Sequence, residues 1–111
     1  MQLVEKLHQS DEYIYHLCSK QDWDQARKIH VYSCPSLAEE GFIHFSYAHQ
    51  VEATLQRLFK DRTDMVLLEV LVSSLGDIPL RQEDLYNEGQ IFPHVYGPIP
   101  TSKVIRHLRI P

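Results

Sequence analysis

The sequence predicts an α+β domain with two or three short helices. Segments of strand and helix character alternate along the chain, but its last part is rich in strands, which favours α+β over a doubly wound parallel sheet. The length of 111 residues corresponds to one compact domain, and the content of 43% hydrophobic and 23% charged residues is that of an ordinary globular protein. We expect residues 1–12 to form an N-terminal arm and residues 13–111 to form the single domain.

The first strand and the first helix are predicted side by side. Residues 13–18 (YIYHLC) are rich in aromatic and β-branched side chains, which is typical of a strand. Ser19 suits a helix N-cap and is followed three positions later by an acid, so a helix is expected over residues 20–29. This helix is expected to bury Trp23, Ala26 and either Ile29 or His30 on one side.

Two helices and a strand are predicted in the middle of the chain. Pro35 and Ser36 suit the start of a short helix, and Gly41 suits its end in a left-handed conformation. Residues 42–46 (FIHFS) predict the second strand. Residues 47–59 carry an apolar stripe at helical spacing and predict the longest helix. Its buried face is expected to consist of Tyr47, Val51, Leu55, Leu58 and Phe59.

The last part of the chain predicts mainly strands. Residues 65–72 (MVLLEVLV) are apolar on both sides, as in a central strand. Residues 76–87 carry glycine, proline and charged residues and are expected to be irregular. Residues 89–92 predict a short strand, and the alternation over residues 103–110 (KVIRHLRI) predicts a partly exposed final strand.

Charge and composition exclude several classes of protein. The net charge of −4 argues against a nonspecific nucleic-acid or anionic-membrane binder, because such proteins need a basic face. The longest apolar run, 65–72, is interrupted by Glu69 and is too short to span a bilayer. Two cysteines, Cys18 and Cys34, cannot build a disulfide framework, and no apolar leader segment opens the sequence. We therefore expect a cytoplasmic protein that binds neither nucleic acid nor membrane, while the oligomeric state is left open.

Histidines within the predicted strands are the most informative residues. Side chains alternate across a strand, so His16 is expected on one face of the first strand, and His44 and Ser46 on one face of the second. Glu69 lies within the third strand and joins the same surface if the faces coincide. We take His16, His44 and Glu69 as candidate catalytic residues, since carboxylates and imidazoles in apolar settings are frequent at active sites.

A second histidine motif lies in the proline-rich segment FPHVYGP, where His94 and Tyr96 are two residues apart. Three imidazoles in short extended segments are most easily satisfied if they converge on one cleft, where ligand or water supplies partners. We therefore predict that His16, His44 and Ser46 line one pocket, with His94 and Tyr96 at its rim.

Plainer interpretations stand beside this prediction. Each histidine can be a half-buried residue with its ring capped by a nearby backbone carbonyl, and Glu69 can pair with a lysine or arginine. The same histidines and Glu69 are also suitable zinc ligands, which makes a metal-dependent hydrolase an alternative. No two of them have the spacing of a preformed ligand pair, so we expect no tightly bound structural metal and name no metal ligand.

The segments IYHLCS (14–19), PSLAEEGFIHFS (35–46), MVLLEV (65–70) and FPHVYGPIP (92–100) resemble, in this order, the bacterial "domain of unknown function 952" family. The resemblance covers nearly the whole chain. It implies a fold similar to the split β-barrel of ADP-ribosyltransferases. More remotely, IYHLCS resembles the histidine strand of NAD-using ADP-ribosyltransferases and of RNA 2′-phosphotransferases. GFIHFS resembles a histidine strand of the RNA 2′-phosphotransferases.

This resemblance implies a cleft for a nucleotide such as NAD or an ADP-ribosylated species, with NAD a possible cofactor and transferase activity a possible function. His16 would then bind a ribose hydroxyl, and Ser46 would lie near the nicotinamide end. Leu17 replaces a glycine of the transferase pattern, which favours the alternative of a non-catalytic ligand-binding or protein-interaction module. The candidate ligand-binding residues are Ser19, Ser36, Ser46, His94 and Tyr96.

Overall fold

Three α-helices and eight short strands are present within residues 3–110, the part of the chain that a computed structural model describes. The helices are α1 (Lys20–Ile29), α2 (Pro35–Glu40) and α3 (Ala48–Phe59). The strands are β1 (Tyr13–Ser19), β2 (Val31–Tyr32), β3 (Ile43–His44), β4 (Met65–Leu71), β5 (Leu80–Glu83), β6 (Phe92–Val95), β7 (Ile99–Pro100) and β8 (Val104–Arg109). Single 3-10 turns cover Leu3–Lys6, Val72–Leu75 and Thr101–Lys103.

The strands form three small antiparallel sheets, in the orders β1-β4-β8, β2-β7 and β3-β6-β5. This confirms the α+β prediction. Among the described residues the three sheets do not close into a barrel. The bridge between Tyr15 and Ser46 joins β1 to the chain that follows β3, so the first and third sheets meet there.

The helix α1 matches its predicted range because the local signals are strong. The Ser19 hydroxyl accepts a hydrogen bond from the Asp22 backbone N–H at 3.0 Å, as expected of an N-cap. His30 ends the helix in the left-handed region, with φ of 66°. Trp23 and Ala26 are buried as predicted, but the prediction for the last turn was wrong. Ile29 is 58% exposed and His30 is also exposed, because the helix runs past the sheet there.

Two strands of the third sheet were misplaced. The chain over 80–83 (LRQE) was expected to be irregular, but it forms β5, an edge strand whose mixed polar sequence carries no clear alternation. The strand expected at 89–92 instead begins at Phe92 and continues through Pro93. Pro93 is tolerated because it lies just beyond the two paired residues of β3, where no N–H donor is needed from it. Its carbonyl oxygen accepts a hydrogen bond from the Phe45 N–H at 3.0 Å.

β3 itself is shorter than predicted, with two residues instead of the five of 42–46. Ser46 still pairs in an extended manner, through reciprocal backbone hydrogen bonds with Tyr15 of 2.7 and 2.8 Å. The segment therefore stays beside β1, and His44 and Ser46 keep the side-by-side placement on which the predicted pocket depends.

The helix α3 packs on the sheet through Ala48 and Val51, but not through Leu58. Leu58 is 58% exposed, although helical spacing places it near the face of Val51. Leu58 lines a cleft instead of the core. The prediction of Leu58 as a core residue was therefore wrong.

The central pair β1 and β4 is buried on both faces. One face packs against α1, β3 and β6, and the other against α3 and residues 3–7. Leu7 is buried in the second cluster, and the Arg106 guanidinium donates to the Lys6 carbonyl at 2.6 Å. Residues 3–7 therefore pack against the rest of the chain. No helix within residues 3–110 has the length and apolar character needed to cross a membrane.

Candidate functional site

A cleft of about 530 Å³ lies between β1, α3 and the hairpin loop 84–91, which joins β5 to β6. Four of the residues singled out in the sequence line it: His16, His44, Ser46 and His94. They come from three separate segments of the chain, which the pairing of β3 with β6 and of Ser46 with Tyr15 brings together.

His44 and His94 are direct neighbours because they are cross-strand partners in the pairing of β3 with β6. Their imidazole centroids are 5.2 Å apart, with an interplanar angle of 79°. The ring of Phe42 stacks on His94 with a centroid distance of 4.2 Å. Packing thus fixes the orientation of the His94 ring, which is a requirement for directed proton transfer.

The buried His94 pairs with the partly exposed Glu83 of β5. The His94 side chain is 2% exposed, and its Nδ1 lies 2.9 Å from Glu83 Oε1, which also accepts a hydrogen bond from the Tyr96 hydroxyl at 2.6 Å. Because an ionised carboxylate only accepts hydrogen bonds, Nδ1 carries the proton and Nε2 keeps its lone pair. Burial lowers the pKa of His94, so the ring is a neutral proton acceptor near pH 7.

Tyr96 holds the carboxylate of this pair through its hydroxyl group. Its hydrogen bond is the largest cause that holds the pKa of Glu83 below its usual value, ahead of the contact with His94. The Arg81 guanidinium lies 4.7 Å from the centroid of the Tyr96 ring. Tyr96 was predicted at the rim of the cleft, but it does not line the cleft. It contacts Glu83, which does.

His44 has a similar arrangement nearer the surface. Its Nε2 lies 3.0 Å from Glu40 Oε1, and the Tyr86 hydroxyl donates to the other oxygen of Glu40. These two hydrogen bonds, that of Tyr86 first, lower the pKa of Glu40. In return, Glu40 raises the pKa of Tyr86 to about 12. Two tyrosine–carboxylate–histidine groups therefore lie side by side, and both of their histidines line the cleft.

His16 differs from these two because both of its ring nitrogens bond to the protein. Nδ1 lies 2.5 Å from the His44 carbonyl oxygen, and Nε2 lies 2.6 Å from the Tyr32 hydroxyl. Since a carbonyl only accepts, Nδ1 is the donor, and Nε2 accepts from Tyr32. Burial is the main cause that lowers the pKa of His16 to about 4. His16 is thus neutral and holds β1 to the segment of His44.

This arrangement predicts acid lability. An unfolded histidine titrates near pH 6.5, whereas folded His16 titrates near 4, so between these values the unfolded state binds more protons. The stabilising contribution is present above pH 6.5 and is lost as pH falls toward 4, by about 3 kcal/mol in total. Urea unfolding across this range should show the loss, and H16Q should show a shallower slope. Equal slopes in both proteins would contradict the assignment.

Glu69 does not join the cleft, which corrects its prediction as a catalytic residue. In the pairing of β1 with β4, Glu69 lies opposite Tyr15, while His16 lies opposite Leu68, so Glu69 and His16 point to opposite faces of the sheet. Glu69 accepts from the Tyr15 hydroxyl at 2.5 Å and from Arg106 Nη2 at 2.8 Å. It forms the buried ion pair of the plainer interpretation.

The predicted serines divide between two sites. Ser46 is buried at the main cleft, with its hydroxyl 3.4 Å from that of Thr54. Ser19 and Ser36 line a second hollow of about 250 Å³ that shares His16 with the cleft. Both hydroxyls are used internally: Ser19 caps α1, and Ser36 donates to the Phe42 carbonyl at 2.8 Å.

The lining of the cleft is acidic, a feature that the sequence reasoning missed. Glu83, Asp84 and Glu88 line it, against a single arginine, Arg57, whose guanidinium pairs with Glu88. These acidic residues lie on β5 or the loop after it, in a segment expected to be irregular. The sequence NEG at 87–89, a typical turn between two pairing strands, was the available signal.

Metal-ligating side chains at the cleft are engaged with one another or with tyrosines. Among the residues that the structure describes, no group of three or more histidine, cysteine, aspartate or glutamate side chains is placed to hold a metal ion. The carboxylates next to His44 and His94 are instead engaged by tyrosine hydroxyls.

Comparison with known proteins gives a family and similar solved structures. A family model described as a protein of unknown function, DUF952, matches residues 17–107. The crystal structure of protein CC0527 from Caulobacter crescentus is similar, with a TM-score of 0.80 and 31% sequence identity over 89% of this chain and 86% of that chain. The solution NMR structure of CC0527 gives a TM-score of 0.77 and 31% identity, over 89% and 84% of the two chains. No curated protein sequence matches.

Proposed function

The chain belongs to the DUF952 family of proteins of unknown function, and from its cleft we propose that it binds the nicotinamide–ribose end of a nucleotide such as NAD, or an ADP-ribosylated species. The observation that carries the proposal is the pair of buried His94 with partly exposed Glu83 in an acidic cleft. The His94 imidazole is a proton acceptor, and the Glu83 carboxylate next to it supplies negative charge.

The acidic lining suits a ligand in which positive charge is present or develops. The pyridinium ring of a nicotinamide nucleotide is cationic, and positive charge moves to the ribose C1′ when its bond to nicotinamide breaks. Fixed carboxylates near such a centre stabilise it, more strongly where water is excluded. Glu83 is held in place by Tyr96 and His94, so it meets this requirement in preference to Glu69, which the sequence suggested.

A transfer reaction in this cleft would use His94 as the base. The bond between C1′ and nicotinamide breaks, and its electron pair leaves with nicotinamide. An acceptor hydroxyl forms a bond to C1′ and gives its proton to Nε2 of His94. His44 and Ser46 would contact the ribose or the amide, and His16 would position them through the His44 carbonyl.

An ADP-ribosyltransferase-like fold is part of this proposal. IYHLCS resembles a histidine strand of those enzymes and of RNA 2′-phosphotransferases, and GFIHFS resembles one of the latter. The two segments lie side by side through the bridge of Tyr15 with Ser46. This adjacency supports the likeness, since it places His16 beside His44 at the cleft.

Ligand binding tests the proposal directly. NAD, ADP-ribose, nicotinamide riboside and nicotinamide should be compared by thermal unfolding. At a concentration 100 times its Kd, a ligand specific for the folded state adds about 3 kcal/mol and raises the Tm by about 10 °C in a chain of this size. We expect nicotinamide riboside and NAD to raise the Tm. No rise with any of the four would contradict the proposal.

A non-catalytic ligand-binding module is the second candidate. Leu17 lines the cleft where the transferase pattern has glycine, and both nitrogens of His16 are already bonded within the protein. Such a module would bind the same ligands without consuming them. Release of free nicotinamide from NAD, followed by chromatography, separates the two candidates.

A further inference from the structure

We infer that Arg57 is the phosphate-binding residue of this cleft, and that Glu88 occupies its guanidinium in the absence of ligand as a replaceable intramolecular anion. The inference rests on the proposed function and deepens it, because it assigns the place of the nucleotide's phosphate. It also explains how an acidic cleft can accept a ligand that carries negative charge.

Arg57 is the basic residue among those that line the cleft. It lies in the last turn of α3, and its side chain is 51% exposed. Its guanidinium is in contact with the carboxylate of Glu88 and so has one anionic partner from the protein. A guanidinium binds phosphate through two parallel hydrogen bonds, which makes arginine the usual residue for this ligand.

Glu88 is held at this place by the backbone of the loop 84–91. The Asp84 carboxylate accepts from the N–H groups of Glu88 and Gly89 at 2.8 and 2.9 Å. Gly89 has φ of +78°, a conformation that favours glycine and turns the chain back toward β6. The Asp84 carboxylate and the turn at Gly89 therefore present Glu88 to Arg57.

The pair of Arg57 with Glu88 is open to solvent, with both side chains partly exposed. Ion pairs of this kind are weak, because water screens them and the side chains lose freedom. A phosphate carries more charge than a carboxylate and matches the guanidinium geometry equally well. A ligand whose ribose is already held at the His94 end can therefore exchange its phosphate for Glu88.

Matched ligands and variants test this exchange. We compare the affinity of nicotinamide mononucleotide with that of nicotinamide riboside, which lacks only the phosphate, by isothermal titration calorimetry. In the wild type we expect the phosphate to tighten binding about tenfold, the size of a charge-assisted hydrogen bond. R57Q should remove this gain and leave the affinity for the riboside unchanged. E88Q should increase the ratio of the two affinities by a further factor of about three, since Arg57 then has no ion pair to break before it binds the phosphate.

R62Q is the control. Arg62 also forms an exposed ion pair, with Asp64, but it lies at the second hollow and outside the cleft, so its loss should leave the ratio of the two affinities unchanged. Inorganic phosphate alone should not compete with nicotinamide mononucleotide. If it binds at Arg57 as tightly as the nucleotide's phosphate does, the site is a free-anion site and the assignment is wrong.

The outcomes separate the two proposals. Riboside binding without a phosphate gain, or a gain that survives R57Q, overturns the role of Arg57 and leaves the proposed function intact. Absence of binding by both ligands overturns the proposed function and the phosphate site with it.

Discussion

The variant H94N is expected to release nicotinamide from NAD at a rate reduced by about 10²–10⁴ while still binding the ligand. The loss of a positioned general base has this magnitude. The asparagine amide can still donate to Glu83 in place of Nδ1, so the hydrogen bond behind the ring is kept. What the variant lacks is the group at the position of Nε2, where the proposal places proton transfer.

The matched control is H107N, since His107 lies exposed on β8, away from the cleft. We expect it to leave the rate unchanged. A second variant, Y96F, removes the hydroxyl that bonds Glu83 without touching the cleft, and should shift the pH dependence of the reaction. An H94N protein that is folded and as fast as wild type would exclude His94 as the base.

The variant E69A is expected to lower the free energy of unfolding by about 3 kcal/mol, as is typical when one partner of a buried ion pair is removed. Glu69 is only 2% exposed and accepts from both Tyr15 and Arg106. Its loss leaves the buried Tyr15 hydroxyl without its acceptor. Urea unfolding at pH 7 measures the effect.

E52Q on the exposed face of α3 is the control for this variant and should change stability by less than about 0.5 kcal/mol. Because Glu69 is absent from the lining of the cleft, E69Q should bind nicotinamide riboside as the wild type does. An E69Q protein of normal stability that no longer binds the riboside would restore Glu69 to the site.

The sequence predicted best the elements that are determined by local signals. Ser19 as N-cap placed the start of α1 correctly, since the cap and its hydrogen bond involve neighbouring residues only. The apolar run over 65–72 likewise identified β4, because a strand buried on both faces needs such a composition.

Features that depend on strand pairing were harder to predict. Alternation placed Glu69 on a face of β4, but only the register with β1 shows that this face is opposite to that of His16. Glu83 could not be placed in the cleft because β5 is a polar edge strand that becomes recognisable only through its pairing with β6. The partners of all three histidines therefore lay beyond what one sequence could indicate.

The most direct test of the central claim is a titration with nicotinamide riboside, followed through the imidazole signals of the histidines by NMR. If the riboside binds in the cleft, the signals of His94 and His44 shift together and saturate, while those of the exposed His30 and His107 stay unchanged. Signals of His94 and His44 that do not move at any riboside concentration would contradict it.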